Sequence, residues 1–392
     1  MELELDRRRI IAAGICTMFA TAPTPVPART NAIQRSGNVA DPKTYSAVAM
    51  QLTAHSLETL DTEAAARAAM IQHIADIEPQ IRSATLFIAQ YGGHPVKLAV
   101  LPEYLFTSFP GRISIVDFAA KVGFASDGPE YAALGAMAQR LDMYIAGNAY
   151  ERDENFPDFY FQTSFIIGPS GDVVLRYRRL LSMFAPSPHD VWEKYLDIYG
   201  LEGVFPVAKT EIGTLACIAS EEILYPEIAR ALAFRGAEVF LHSSSEAGSP
   251  LSTNKDIAKQ ARAFENMSYV VSANTAGISG TALPLSSAEG NSSITDYRGK
   301  VVAKSGDGET FTAFANIDLG ALRETRSTPA MTNYLARQSP HLFVAAYADA
   351  AKDFHHPNGM MKGGKPAVPE RDYFKRTQET VIKRLMKAGI IS

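Results

Sequence analysis

The feature that most constrains this chain is a set of short, mostly apolar runs separated by stretches of helical period. KLAVL at 97–101, TLACIA at 214–219, AEVFL at 237–241 and YVVSA at 269–273 are too short for amphipathic helices and lack regular polar alternation. Such runs fit strands buried on both faces. Between them, Thr62 to Gln90, Glu130 to Leu141, Pro226 to Arg235 and Lys255 to Asn266 carry helical spacing, the first with a break expected near Pro79. Thr44 to Thr53 and Tyr144 to Ala149 read as further strands. Gln162 to Ile167 and Val173 to Tyr177 read as a hairpin turned at Pro169-Ser170-Gly171, and Ser292 to Thr295 as a strand joined through Tyr297-Arg298-Gly299 to Val301-Val302. No repeat of solenoid or propeller length is visible. The interleaving predicts a layered α/β domain rather than a barrel of hairpins.

With 392 residues, 46% of them hydrophobic and 20% charged, the chain can bury a large core. A net charge of −4 without a clustered Lys/Arg stripe argues against nucleic acid as a partner and favours a small molecule. No apolar run reaches the ~18 to 20 residues of a membrane span. Residues 6–22, DRRRIIAAGICTMFATA, place an arginine cluster before a short apolar run, the order of a twin-arginine export signal. We therefore expect residues 1–28 to be an export signal, with a periplasmic or exported mature chain, and the Pro- and Ala-rich 29–43 to be a linker; an amphipathic N-terminal helix on a cytoplasmic protein is the alternative. Cys16 lies in that segment, so the mature chain would keep Cys217 as its one cysteine and form no internal disulfide.

Five ordered segments carry a resemblance. LPEYLF at 101–106, RYRRLLSMF at 176–184 and IASEEILYPEIARALAFRGAEVFL at 218–241 resemble the strands and turn that supply the catalytic groups of the nitrilase, or carbon–nitrogen hydrolase, superfamily. QARAFENMSYVVSANTAG at 260–277 and GNSSITDYRGKVVAKSG at 290–306 support the match, which runs from about Tyr45 to Leu322. The resemblance implies a four-layer α-β-β-α sandwich over 44–322, hydrolysis of an amide, nitrile or carbamoyl bond through a thioester, and no cofactor. The remaining 323–392 reads as a C-terminal extension for packing or homo-oligomerisation, with an amphipathic stretch at Asp372 to Ala388.

Matched residue by residue, the chain departs from that pattern. The family's general-base glutamate falls at Glu103, its lysine at Arg179, and its nucleophilic cysteine, six residues before the proline of the turn, at Ser220. A thiol ionises readily near its pKa of ~8.5, whereas a serine hydroxyl must surrender its proton to a base during attack, so Ser220 demands more of Glu103. Arg179 keeps the positive charge but cannot donate a proton, and its planar fork suits a carbonyl or carboxylate ligand. The Glu221 backbone N–H is a candidate oxyanion donor.

Other residues carry alternative readings. Glu193, in HDVWEKYLDIYG at 189–200, is the candidate for a further glutamate contacting the cation or substrate, or else a solvated helix residue; Glu222 is a weaker candidate. His242, followed by Ser243-Ser244-Ser245, shapes the substrate pocket, pairs with Ser220 as a base, or caps its strand. Cys217 lies mid-strand on the face opposite Ser220, where a core role competes with that of a displaced nucleophile. His355-His356 lacks metal-ligand spacing and reads as a surface loop, so no metal is expected. Three functions remain open: a hydrolase using Ser220, Glu103 and Arg179, an inactive homologue binding a ligand or protein partner, and a structural subunit.

Overall fold

The computed structural model describes residues 44–392 apart from 112, 247–253, 289 and 371. The expected export signal, linker and Cys16 lie outside these residues. In chain order the elements begin β1 (Thr44–Gln51), β2 (Thr53–His55), α1 (Glu63–Gly92), β3 (Val96–Val100), α2 (Ile115–Val122), α3 (Pro129–Leu141) and β4 (Tyr144–Asp153). They continue with the hairpin β5 (Phe156–Ile167) and β6 (Val173–Arg178), then α4 (Trp192–Val204), β7 (Ala208–Thr210), β8 (Gly213–Ala219), α5 (Pro226–Phe234) and β9 (Val239–Ser244). The rest are α6 (Asn254–Asn266), β10 (Tyr269–Asn274), β11 (Gly277–Ser279), β12 (Ser293–Thr295), β13 (Val301–Lys304), β14 (Thr310–Asp318), α7 (Leu319–Ser327), α8 (His341–Ala350), β15 (Met361–Lys362), β16 (Lys365–Pro366) and α9 (Tyr373–Lys387).

Two six-stranded sheets result, in the orders β14-β1-β3-β4-β5-β6 and β13-β12-β10-β9-β8-β7. The buried runs form their parallel centres, β1 with β3 and β4 in one sheet and β8 with β9 and β10 in the other. Strand period sorts the side chains between two cores. From β1, Tyr45, Ala47 and Ala49 join Leu98 and Val100 of β3 against Leu215, Val239 and Val271 of the second sheet. The alternate residues Val48 and Met50 face Met70, Ile74, Ile77 and Ile81 of α1 instead. Helices thus cover the outside of facing sheets, which is the expected α-β-β-α arrangement.

One expectation fails at Pro79: α1 runs unbroken from Glu63 to Gly92. Proline there removes the N–H that would bond the Ala75 carbonyl. Both Ala75 and Pro79 are exposed, so water can solvate that carbonyl while the apolar stripe from Ala66 to Ile88 stays packed. The boundary expected after Leu322 falls inside α7. Beyond it, α8 and α9 bury no side chain completely, and among the described residues no helix is long and apolar enough to cross a membrane.

The parallel centres matter for function because the C-terminal ends of β3, β8 and β9 meet at one edge. There Ser243 donates its hydroxyl to the Leu101 carbonyl at 2.8 Å, and the Glu103 N–H donates to the Ser244 carbonyl at 3.3 Å. These two bonds stitch one sheet to the other beside the candidate catalytic groups.

Candidate active site

Glu103 enters this edge just past β3, followed by Tyr104, which adopts a positive φ of 38° as the chain turns away. Its carboxylate is buried, and Oε1 accepts from Gln162 Nε2 at 2.7 Å and Arg179 Nη1 at 3.4 Å. Gln162 on β5 is oriented by Asn148 on β4, whose Oδ1 accepts from Gln162 at 3.1 Å and whose Nδ2 donates to Ser164 at 3.0 Å. Arg179 follows β6, and its N–H extends the hairpin ladder to the Gln162 carbonyl at 2.9 Å. Its Nε donates to the Leu181 carbonyl at 2.7 Å, Nη1 also to Gln162 Oε1 at 2.7 Å, and Nη2 to the Glu221 carboxylate. Burial acts against the guanidinium charge, but Glu103, Glu221 and Glu222 outweigh it and hold the pKa above the ordinary arginine value. The fork expected to await a carboxylate ligand is therefore engaged by the protein.

Ser220 stands at the end of β8, where a 3₁₀ turn over Ser220–Leu224 leads to Pro226 and α5. Its φ of 49° is left-handed, a conformation that costs a residue bearing a Cβ ~1–3 kcal/mol and persists where neighbours enforce it. His242 is one of those neighbours. Its Nε2 donates to the Ser220 carbonyl at 2.8 Å; a carbonyl can only accept, so the proton sits on Nε2. Burial, with Lys259 and Lys255 nearby, pushes the His242 pKa well below the ordinary value, so the ring is neutral and Nδ1 accepts from Ser272 Oγ at 2.8 Å. The Ser220 hydroxyl is approached instead by Lys255 on α6, whose Nζ donates to Oγ at 3.5 Å, to Ser244 Oγ at 3.2 Å and pairs with Glu246 at 3.1 Å.

Glu222 joins the Arg179 side of the site to the Ser220 side. Fully buried, its Oε1 accepts from the Leu180 and Leu181 N–H groups at 2.6 and 3.0 Å. Its Oε2 accepts from the Tyr177 hydroxyl at 2.7 Å and the Ala219 N–H at 3.3 Å. Burial raises its pKa to about 7 against the opposing pull of Arg179, Tyr177 and these backbone donors. One carboxylate thereby locks the residues flanking Arg179 to the residue preceding Ser220.

The structure brings Glu103, Arg179 and Glu221 into one ion-paired chain and places Ser220 beside Lys255. It leaves Glu193 elsewhere: that side chain is exposed on the first turn of α4, and its backbone N–H donates to Asn358 in the C-terminal segment at 3.0 Å. His242 is wholly buried and bonds the Ser220 carbonyl, not the hydroxyl with which it was expected to pair as a base. Cys217 is sealed in the core between the sheets, and burial pushes its thiol pKa up. Among the described residues no cluster of three His, Cys, Asp or Glu side chains is placed to hold a metal. Lys255 was missed in the sequence reading. Its signal was the spacing of Lys255, Lys259, Arg262 and Asn266, polar residues on the face that α6 buries.

Known proteins resemble this chain in both sequence and fold. A formamidase of Bacillus thuringiensis (strain Al Hakam) is 25% identical over 214 residues, as is one of Bacillus cereus (strain AH820). These matches take in 54% of this chain and 60% of each relative, so the chain spans about three-fifths of the curated relatives' length. Nit3 of Saccharomyces cerevisiae, of branch 10 of the nitrilase superfamily, superposes with a TM-score of 0.55 at 20% identity, over 74% of this chain and 95% of its own. A carbon–nitrogen hydrolase from Helicobacter pylori G27 gives 0.55 at 17%, over 78% and 99%. A cysteine-to-serine mutant of the Nesterenkonia AN1 amidase gives 0.52 at 19%, over 77% and 97%. At such identities these structures establish the fold. The sequence profile of the carbon–nitrogen hydrolase family matches residues 63–327, from α1 through α7 and hence across both sheets and the edge where Glu103 and Ser220 stand; this chain belongs to that family.

Proposed function

We propose that the protein hydrolyses a small amide-like C–N bond, or a related acyl bond, with Ser220 as the acyl acceptor. The observation that carries this reading is the left-handed Ser220 at the end of β8, fixed through its carbonyl by His242 and through the preceding residue by Glu222. In this scheme the Ser220 oxygen attacks the substrate carbonyl carbon and its proton passes to Glu103. Glu103 returns that proton to the departing nitrogen as the C–N bond breaks. Water then attacks the acyl-serine ester with Glu103 again as base, releasing a carboxylic acid and restoring the hydroxyl. Arg179 supplies fixed positive charge beside Glu103 and cannot relay a proton.

Ser220, Glu103 and Arg179 are only 6%, 2% and 8% exposed, which favours a small acyl group and makes formamide and acetamide the first substrates to test. The similarity to formamidases points the same way. Ammonia release should be lost in Ser220→Ala and fall by ~10²–10⁴-fold in Glu103→Gln. A wild-type rate that survives in Ser220→Ala overturns the reading.

A second reading, an inactive homologue that binds a ligand or protein partner, is supported by the engagement of Glu103 Oε1 with Gln162 and Arg179. Its sign would be a silent wild type that gains amidase activity in the double variant Ser220→Cys with Arg179→Lys. We also propose that the chain is exported and self-associates. The Arg7-Arg8-Arg9 cluster supports the first, and the mass of the mature protein from its host tests it, intact Met1 counting against. The exposed Leu342, Phe343, Val344 and Tyr347 of α8 support the second, and a monomer by light scattering would sink it.

A further inference from the structure

We propose that Lys255 is a further catalytic residue, an ammonium delivered from α6 to the Ser220 oxygen. The inference rests on the reading of Ser220 as acyl acceptor and adds a group to it. The interior face of α6 is cationic, with Lys255, Lys259 and Arg262 at helical spacing among the buried Ala258 and Ala263. Burying charge in this way is costly unless each group is paired.

Arg262 shows what a structural cation on this face does. Its Nε and Nη2 donate to the Ile223 and Leu224 carbonyls at 3.0 and 3.2 Å and its Nη1 pairs with Glu265 at 2.8 Å, so it holds the end of the turn that begins at Ser220. Lys255 reaches past the backbone to hydroxyls. An ammonium has three N–H donors, and among the described residues those of Lys255 have three partners: Glu246, Ser244 Oγ and Ser220 Oγ. The Ser220 contact, at 3.5 Å, is the longest of the three and has room to shorten as negative charge gathers on the oxygen. Arg179 has no such contact, its fork being held by Leu181, Gln162, Glu103 and Glu221.

The step balances without net proton transfer to lysine. As the Oγ–C bond forms, the hydroxyl proton goes to Glu103, and Lys255 stabilises the charge developing on Oγ. When water cleaves the ester, the electron pair returns to Oγ beside the same ammonium, and the proton held by Glu103 restores the hydroxyl. Around Lys255 stand Glu246, the neutral imidazole of His242 on β9 and Lys259 on α6.

The test uses p-nitrophenyl acetate as acyl donor and the mass of the intact protein as readout, with peptide mapping to locate the acetyl group. Wild type should be acetylated at Ser220. Lys255→Gln should be slower by ~10²–10³-fold with its melting temperature little changed. Lys255→Arg should recover at least ~10-fold of that loss, because the guanidinium restores the positive charge beside Ser220 Oγ. Wild-type acylation in Lys255→Gln would overturn the inference while leaving Ser220 as acyl acceptor. Absence of acetylation at Ser220 in wild type would overturn both. If Lys255→Gln unfolds, Lys255→Met decides, and wild-type acylation rates in that variant overturn the role.

Discussion

The two sides of the site differ in what their buried cations bond. On the Arg179 side the bonds are many: the fork has four partners, Gln162 bridges Glu103 and Arg179, and Glu222 accepts from four donors. On the Lys255 side the ammonium has, among the described residues, Glu246 at 3.1 Å, Ser244 Oγ at 3.2 Å and Ser220 Oγ at 3.5 Å, the last a contact to the hydroxyl that would react. A saturated buried network resists change, because removing one member strands charges that water cannot reach. An ammonium with a long contact to a hydroxyl can respond when charge develops on that oxygen. In the proposed mechanism the Arg179 side positions and stabilises, and the Lys255 side responds during reaction.

The largest effect that would test this contrast is on stability. Arg179→Ala leaves the Glu103 carboxylate buried without its cation and Glu221 unpaired, and should cost about 3–5 kcal/mol in denaturant unfolding. A loss below about 1 kcal/mol would show that the saturated side is not the structural one.

Glu222→Gln should cost less, about 1–3 kcal/mol, since an amide N–H would face the Ala219 N–H while the Tyr177 hydroxyl can turn to accept. The cost should depend on pH. The native carboxyl has its pKa raised to about 7 and the unfolded one lies near ~4.3, so between these values the native state binds more protons. Wild-type stability contributed by this group is full below about pH 4 and is lost as pH rises through about 7. Melting temperatures measured from pH 5 to pH 8 should therefore move in the variant's favour relative to wild type. A constant gap would mean that Glu222 is not held protonated by burial.

The smallest effect is expected at Glu193. Its backbone, not its side chain, bonds Asn358, so Glu193→Ala should leave stability within about 0.5 kcal/mol and turnover unchanged. A tenfold loss of turnover would bring α4 into the site.

What the sequence settled by itself is local. Apolar runs too short for helices made KLAVL, TLACIA and YVVSA parallel-sheet strands, and the Pro-Glu after one of them and the serine before Pro226 marked the ends where Glu103 and Ser220 stand. Strand period likewise separated Cys217 from Ser220. Pro79 misled because its effect depends on which face of α1 it occupies, and that face was chosen by packing. The partners of the polar groups were decided by tertiary structure alone. Glu103 meets Arg179 across 76 positions, Arg179 meets Glu221 across 42, and Lys255 meets Ser220 across 35. The first meeting is set by strand order within one sheet, the second by the packing of one sheet on the other, and the third by the face that α6 turns inward. The physical reason is that period and propensity act over a few residues, whereas a buried charge takes whichever partner the packed layers bring within about 3 Å.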